Sequence, residues 1–468
     1  MAMGKKRWRQ QPMWIASQEL PRTRGHIFYD RVNEILKGER FDEFAEKECV
    51  AFYKSETRGR PSIAPGVYFR MVMIGYFEGI DSERGIAWRC ADSLSLKSFL
   101  GYGVTETTPD HSTISRTRRL IDVETHGRVF SWMLEVLARH GLINGKTVGI
   151  DGTTLEANAA MRSIVRRDTG ESYTDFLTKL AKTSGIETPT REDLARLDRK
   201  RTKKGSNEEW EHPDDPDAKI TKMKDGQTHL AHKAEHAVDM ETGAVLAVTL
   251  QDANAGDTTT IQQTLIAVAE QLEKLTEKDE IAEQIAENWL TELVTDKGYH
   301  SNETMVDLKE FKIRSHVSEP KRGRRNWIGK SEERDAVYAN RRRIQGERGK
   351  SLLRRRGLML ERPFAHCYET GRMRRVHLRG RENILKRLLI HIAGFNLSLV
   401  LRLLTGKGTP RGLQDFAVAY FFTLIALANQ IWRALEAADD FMPHKNASSL
   451  YSAFVVGNIK ITVSTTGC

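Results

Sequence analysis

Residues 146–154 read KTVGIDGTT: a short apolar run of β-type ends in a carboxylate, Asp151, and is followed by turn-forming and small residues. The texture upstream is different. From residue 26 to 141, stretches such as GHIFYDRVNEILKGERFDEFAEKECVAFY and PGVYFRMVMIGYFEGI repeat apolar side chains every three or four positions, the spacing of amphipathic helices. The change at Lys146 therefore predicts an all-α N-terminal region over 1–145 and an α/β domain beginning at 146.

Working downstream, residues 161–225 are strongly charged with little apolar periodicity, and read as a helical or partly mobile insertion at about 160–226. Strand texture then resumes. HLAHKAEHAVD, the turn METG and AVLAVTLQ read as an antiparallel hairpin. DTTTIQQTLIAVAEQLEKL reads as a helix capped by Asp257 or Thr258, and a second long polar helix is expected before TELVTDKGYHS. That segment is another apolar strand ending in a carboxylate, Asp296. A helix near Ser301–Phe311 and a strand KIRSHVSE complete a mixed α/β order within a domain spanning 146–405, leaving 406–468 as a helical C-terminal tail. Its strongest apolar run, Ala417 to Trp432, is about 16 residues, shorter than the roughly 20 that cross a bilayer, and reads as a core helix.

Four widely separated cysteines, Cys49, Cys90, Cys367 and Cys468, form no paired motif, and the basic N-terminus lacks the apolar stretch of a signal peptide. A cytoplasmic, reduced protein without membrane attachment is the expectation. The net charge of +10 points to a polyanionic partner, and its distribution is sharper than its size. Residues 321–381 hold 20 basic and 6 acidic side chains, more net positive charge than the whole chain. Trp327, Tyr338, Leu352, Leu353, Leu358, Leu360 and Phe364 interleave with the charges, so the block reads as a folded, phosphate-contacting surface.

A second DNA-facing candidate lies in the helical region. TPDHSTISRTRRLID and HGRVFSWMLEVLARHGL resemble two successive helices, the first opened by Asp110 or Ser112 and the second closed by Gly141. A helix-turn-helix reader is compatible with this pattern, as is a plain helical hairpin, and Arg116, Arg118 and Arg119 tilt it toward DNA. Arg58-Gly59-Arg60-Pro61 has the composition of a minor-groove hook or of a common turn.

Cutting and joining phosphodiesters requires divalent ions held by hard oxygen ligands on rigid elements. Asp151 and Asp296 meet that demand, each ending a predicted core strand before a glycine-containing loop. The third ligand should come from a helix packed on the sheet, and Glu361, in LERPFAHCYETGRMRR, is carried through the most basic part of the chain. Glu369 and Glu382 are its rivals.

With GRPSIAPGVYFRMVMIGYFEGI, TPDHSTISR, GIDGTTLEANA, THLAHKAEHAVD, VTDKGYHS and ERPFAHCYETGRMRRVHLRGRENILKRLLIHIAGFNLSLVLRLL, the sequence resembles bacterial insertion-sequence transposases of the DDE class. The likeness extends over most of residues 20–415. It implies a ribonuclease-H-like mixed sheet flanked by helices and preceded by an all-α domain. It implies the acidic triad Asp151, Asp296 and Glu361, separated by 145 and 65 positions, with two Mg2+ or Mn2+ ions. It also implies double-stranded DNA as partner, both inverted-repeat ends and target, and a homo-oligomer on the bacterial nucleoid. Two departures stand out. Where many relatives carry a Lys seven residues after the catalytic Glu, this chain has Tyr368, so Arg355, Arg356, Arg374 or Arg375 would have to contact phosphate instead. Pro363 requires Glu361 to lie at a helix start or kink.

Other chemistries fit less well. GERGKS and GRRNWIGKS lack P-loop spacing and follow no apolar strand. His229, His232 and His236 suggest a metal cluster, but strand alternation sends His229 to the opposite face from the other two. A Ser or Tyr recombinase, with Tyr299 or Tyr368 as nucleophile, would leave the strand-end carboxylates without a role. A DNA-binding regulator or domesticated relative that keeps the fold without transposing is the alternative of a different class.

Overall fold

The helical spacing of the first third becomes α1 (Ile27–Gly38), α2 (Phe41–Cys49), α3 (Pro65–Phe77), α4 (Glu83–Asp92), α5 (Leu94–Leu100), α6 (His111–Leu120) and α7 (Val123–Arg139) in the computed structural model, which describes residues 27–53, 62–201, 205–223, 226–321, 323 and 325–410. The minor-groove candidate at 58–61, the apolar run at 417–432 and nearly all of the 406–468 tail lie outside the described residues. Helix α3 starts on Pro65, whose missing N–H costs nothing at that position, and is buried nearly all round. Asp110 caps α6 by accepting from the Thr113 N–H at 2.7 Å. Asp122 caps α7 in the same way, and Gly141, at φ +66°, closes it.

The α/β part follows as β1 (Thr147–Glu156), β2 (Val165–Arg166), α8 (Tyr173–Thr183), α9 (Arg191–Lys200), β3 (Trp210–Glu211), β4 (Lys219–Lys222), β5 (Thr228–Asp239), β6 (Val245–Asp252), α10 (Asp257–Thr276), α11 (Asp279–Ala282), β7 (Glu292–Thr295), α12 (Asn302–Glu310), β8 (Arg314–Val317), α13 (Ser331–Gln345), α14 (Glu347–Phe364) and α15 (Arg381–Thr405). Strand β5 runs antiparallel to β1, and both β6 and β4 pair with its other edge. Strands β1, β7 and β8 lie side by side in parallel. This mixed sheet, with two consecutive hairpin partners on one side of β1 and crossover strands on the other, is the ribonuclease-H-like order that the resemblance implies. The hairpin turn forms as expected: Asp239 accepts from the Glu241 and Thr242 N–H groups, and Gly243 sits at φ +81°.

Three local expectations need amendment. The charged insertion carries the helices expected of it, α8 and α9, and adds what its composition does not suggest: Trp210, 2% exposed, packs edge-on against Tyr173 and Phe176 and forms a small core with Ile164 and Leu230. The long polar helix expected before β7 shrinks to the four residues of α11. Asp257 does not cap α10, for Gly256 occupies that position and the Asp257 carboxylate pairs instead with Lys233 at 2.6 Å.

Helix α15 ties the whole together. It is long and apolar enough to cross a membrane, yet most of it is buried inside the fold, where it packs on α3, α7 and β6. One continuous apolar core joins Phe28, Phe69, Leu134, Val148, Leu246 and Leu388. The described residues accordingly form one compact unit.

Candidate active site

Asp151 lies in the middle of β1, not at its end as the sequence suggests, because small residues downstream of it remain in the strand: Gly152, Thr153 and Thr154 continue the pairing with β5. Asp296 directly follows β7 and caps the short turn Lys297–Tyr299, its side chain accepting from the Gly298 N–H at 2.8 Å. Parallel pairing sets Gly149 beside Val294. Two more residues along each chain bring Asp151 beside Asp296, and with a strand period of two Asp151 faces the same side of the sheet as Gly149.

Helix α14 covers that side. Arg348 in its first turn holds Glu292, at the start of β7, with Nε at 3.0 Å from Oε1. Arg355 donates to the Met240 carbonyl at 2.8 Å. Arg356 donates to the Asp151 carboxylate at 3.1 Å. One turn on, Leu360 presses on Gly149, where a Cβ would come within 3.1 Å of it. Burial raises the Asp151 pKa, Arg356 pulls it down, and the negative charge of Asp296 adds to the rise. The two aspartates therefore sense each other, with Arg356 as a built-in counter-charge.

Glu361 follows Leu360 on the exposed flank of α14, roughly 7.5 Å along the axis from Arg356 at 1.5 Å per residue. Pro363 falls in the last turn, so Glu361 stands just ahead of an irregularity rather than at a helix start: residues Ala365–Thr370 form a π-helical turn. Wide turns of this kind occur often at functional sites. Among the described residues, no three His, Cys, Asp or Glu side chains stand close enough together to hold one ion. Of the rival acids, Glu369 pairs with Arg374 and Glu382 with Lys386.

Tyr368, at the position where the resemblance leads to the expectation of Lys, points inward. It is fully buried, and its hydroxyl bonds His236 Nε2 at 2.5 Å. His236 is the β5 residue opposite Asp151, and burial drives its pKa down to about 3, so the ring is neutral. His232 meets buried Asp215 at 3.3 Å, while His229 pairs in the register with Thr221 of β4 and lies near Glu156. The three histidines do not converge.

The basic candidates divide into braces and free cations. Arg118 is turned inward, 10% exposed, to meet Glu83 at 2.7 Å and also Asn383; its neighbours Arg116 and Arg119 are exposed on α6. Helix α7 is mostly buried, and its exposed Arg128 is paired with Glu48. Arg374 is engaged with Glu369, Thr153 and the Thr154 carbonyl. Arg375 is 59% exposed, 3.6 Å from Glu156. Missed altogether by sequence reasoning is a buried polar cluster on the opposite face of the sheet, centred on Lys233 and Glu235. Its signal was available: two charges, Lys233 and Glu235, at alternate positions in the middle of a strand, flanked by Ala and His.

Comparison with known families adds the assignment that this geometry anticipates. Residues 16–120 match a transposase domain (DUF772), and residues 190–397 match the transposase DDE domain. The first covers the segment that becomes α1 to α6; the second covers β4 to β8 and nearly all of α15, and includes both Asp296 and Glu361. Asp151 lies in the interval between the two matches. No curated protein matches the chain. With both halves matched in the order found in the fold, the chain belongs to the insertion-sequence transposases of the DDE class.

Proposed function

We propose that the protein cleaves DNA at the ends of an insertion sequence and joins those ends to target DNA, using Asp151, Asp296 and Glu361 as ligands for Mg2+ or Mn2+. The observation that carries this reading is the placement of Asp151 and Asp296 on adjacent parallel strands beneath an arginine-rich helix. The donor set is chemically suited to the ions: carboxylate oxygens are hard ligands, and the mutual repulsion of two aspartates is relieved by a divalent charge. Such an ion supplies stabilisation of the attacking and leaving oxygens when bound.

This chain's own residues supply the rest. Asp151 and Asp296 are held by the sheet and by the cap on Gly298. Glu361, on the exposed flank of α14, would supply the third carboxylate. Arg356 holds the Asp151 charge in place and would offer its guanidinium to a scissile phosphate bound beside that carboxylate. The exposed Arg354 and Arg355 of α14, the latter also donating to the Met240 carbonyl, form a phosphate track with Arg375 beyond them, while Arg116 and Arg119 on α6 contact the recognised end. The enzyme acts as a homo-oligomer on DNA, in the bacterial cytoplasm.

The test is incubation of the full chain with DNA bearing the flanking inverted repeats and Mg2+ or Mn2+. Cleavage at the repeat ends that disappears in Asp151→Asn supports the reading. Tight binding of the repeats without cleavage by the wild-type chain would replace it with that of a DNA-binding regulator.

A further inference from the structure

Each proposed catalytic aspartate is followed by a glycine, Asp151-Gly152 and Asp296-Lys297-Gly298, and neither glycine is required by its backbone angles. Both are required by what approaches them. A Cβ at Gly152 would lie 3.0 Å from Lys233 Cε, 3.2 Å from the Tyr299 hydroxyl and 3.4 Å from Glu235 Cγ. A Cβ at Gly298 would overlap the Asp257 carboxylate and touch that of Asp296. The same cluster therefore packs on the residue after Asp151 and on the loop of Asp296, from the side of the sheet opposite α14.

Glu235 is the hub of that cluster. It is fully buried and lies opposite Gly152 in the β1–β5 register. Its carboxylate accepts from Tyr299 at 3.0 Å, from Thr264 at 2.7 Å and from Thr260, with Lys233 Nζ at 3.0 Å. Lys233 in turn reaches Asp257 at 2.6 Å. A buried carboxylate with this many donors is a rigid anchor, since leaving any of them unpaired is costly. Tyr299, itself 1% exposed, is the cluster's one member on the Asp296 loop.

We propose that Tyr299 is a positioning residue for Asp296, its buried hydroxyl binding the Asp296 loop to Glu235 and so setting the separation of Asp296 from Asp151. The path is short: Asp151 to Gly152, across the ladder to Glu235, through one hydrogen bond to Tyr299, and back three residues to Asp296. The inference rests on the metal-ligand reading of the two aspartates.

The test uses the full chain with Mn2+ alone as probe, followed by electron paramagnetic resonance, alongside hydrogen exchange of the peptide 293–300 and a melting curve. Tyr299→Phe removes only the hydroxyl. It should loosen exchange in that peptide and weaken Mn2+ binding by roughly 10-fold, the loss typical when an outer partner of a metal ligand is removed, with melting lowered by only a few degrees. Glu235→Gln should weaken Mn2+ binding in the same direction, and Thr264→Val, which removes a different donor from the hub, should leave it within twofold. Unchanged Mn2+ affinity in folded Tyr299→Phe, or equal losses in Tyr299→Phe and Thr264→Val, would overturn the inference, as would absence of Mn2+ binding by the wild-type chain. Wild-type binding of Mn2+ without DNA cleavage would overturn the proposed function and leave the positioning role intact.

Discussion

Burial lifts the Asp151 pKa and Arg356 only partly offsets it, which makes this residue a cost to the fold at neutral pH. A group whose folded pKa lies above its unfolded value favours folding where it is protonated, below the unfolded pKa, and that contribution disappears as pH rises through the folded pKa. Asp151→Asn should therefore melt at a higher temperature than wild type at pH 7, and the gap should narrow as pH falls into the carboxylate range. The same variant should lose more than about 10²-fold in strand cleavage, while binding DNA normally. A lower melting temperature at pH 7 would mean that the Arg356 pair outweighs desolvation. Nearby arginines separate by the same logic. Arg118→Ala breaks a largely buried pair with Glu83 and should cost about 3 kcal/mol in urea unfolding. Arg116→Ala with Arg119→Ala, both exposed, should leave stability unchanged and weaken DNA binding in a mobility-shift assay.

Helix α14 is where element and function meet, and where sequence reasoning went furthest and stopped. Its basic character and its apolar stripe are plain in the sequence, as is the need for a kink at Pro363. What the sequence does not disclose is which arginines are neutralised within the fold. Arg348, Arg356 and Arg381 find their acids, Glu292, Asp151 and Asp252, between 56 and 205 residues away, distances over which no local pattern operates. Strand-borne carboxylates ahead of glycines were legible, so Asp151 and Asp296 could be singled out, although the strand of Asp151 runs on past it. The helices of the insertion, α8 and α9, fit its helical reading, but its small core was not legible, because Tyr173, Phe176 and Trp210 are spread without a period and close on Ile164 and Leu230. The proposed phosphate track consequently leaves out Arg374, which is engaged within the fold, and runs from Arg375 to the exposed arginines of α14. Arg354→Ala with Arg355→Ala should make the logarithmic salt dependence of DNA binding shallower by about two, with sequence preference retained. An unaltered slope would remove α14 from the DNA path. Tyr368→Phe, which only unpairs buried His236, should cost about 1–2 kcal/mol and leave that slope alone.

For the whole molecule, the sequence boundary near residue 145 marks a change of secondary structure and not a break in the core. Strand and helix periodicities are local, whereas the sharing of α15 between α3, α7 and β6 is visible only in three dimensions. Asn396 shows how close that sharing is: from the middle of α15 its side chain both accepts from and donates to the backbone of Val245 at the start of β6, at 3.0 and 2.9 Å. Expressed separately, segments 27–145 and 146–410 should each be insoluble or poorly folded by circular dichroism, and co-expression should recover a soluble pair. Independent folding of 146–410 would show that α15 needs no partner from the helical region.

A shared core also has a metric consequence. On the proposed reading, in which α6 grips the DNA end and β1 carries a cutting acid, the shared core that joins them makes the stretch of duplex between the point gripped and the bond cut a fixed length, as in a calliper. Adding base pairs between those two points would carry the cut inward along the DNA by the same number, always the same span from the grip.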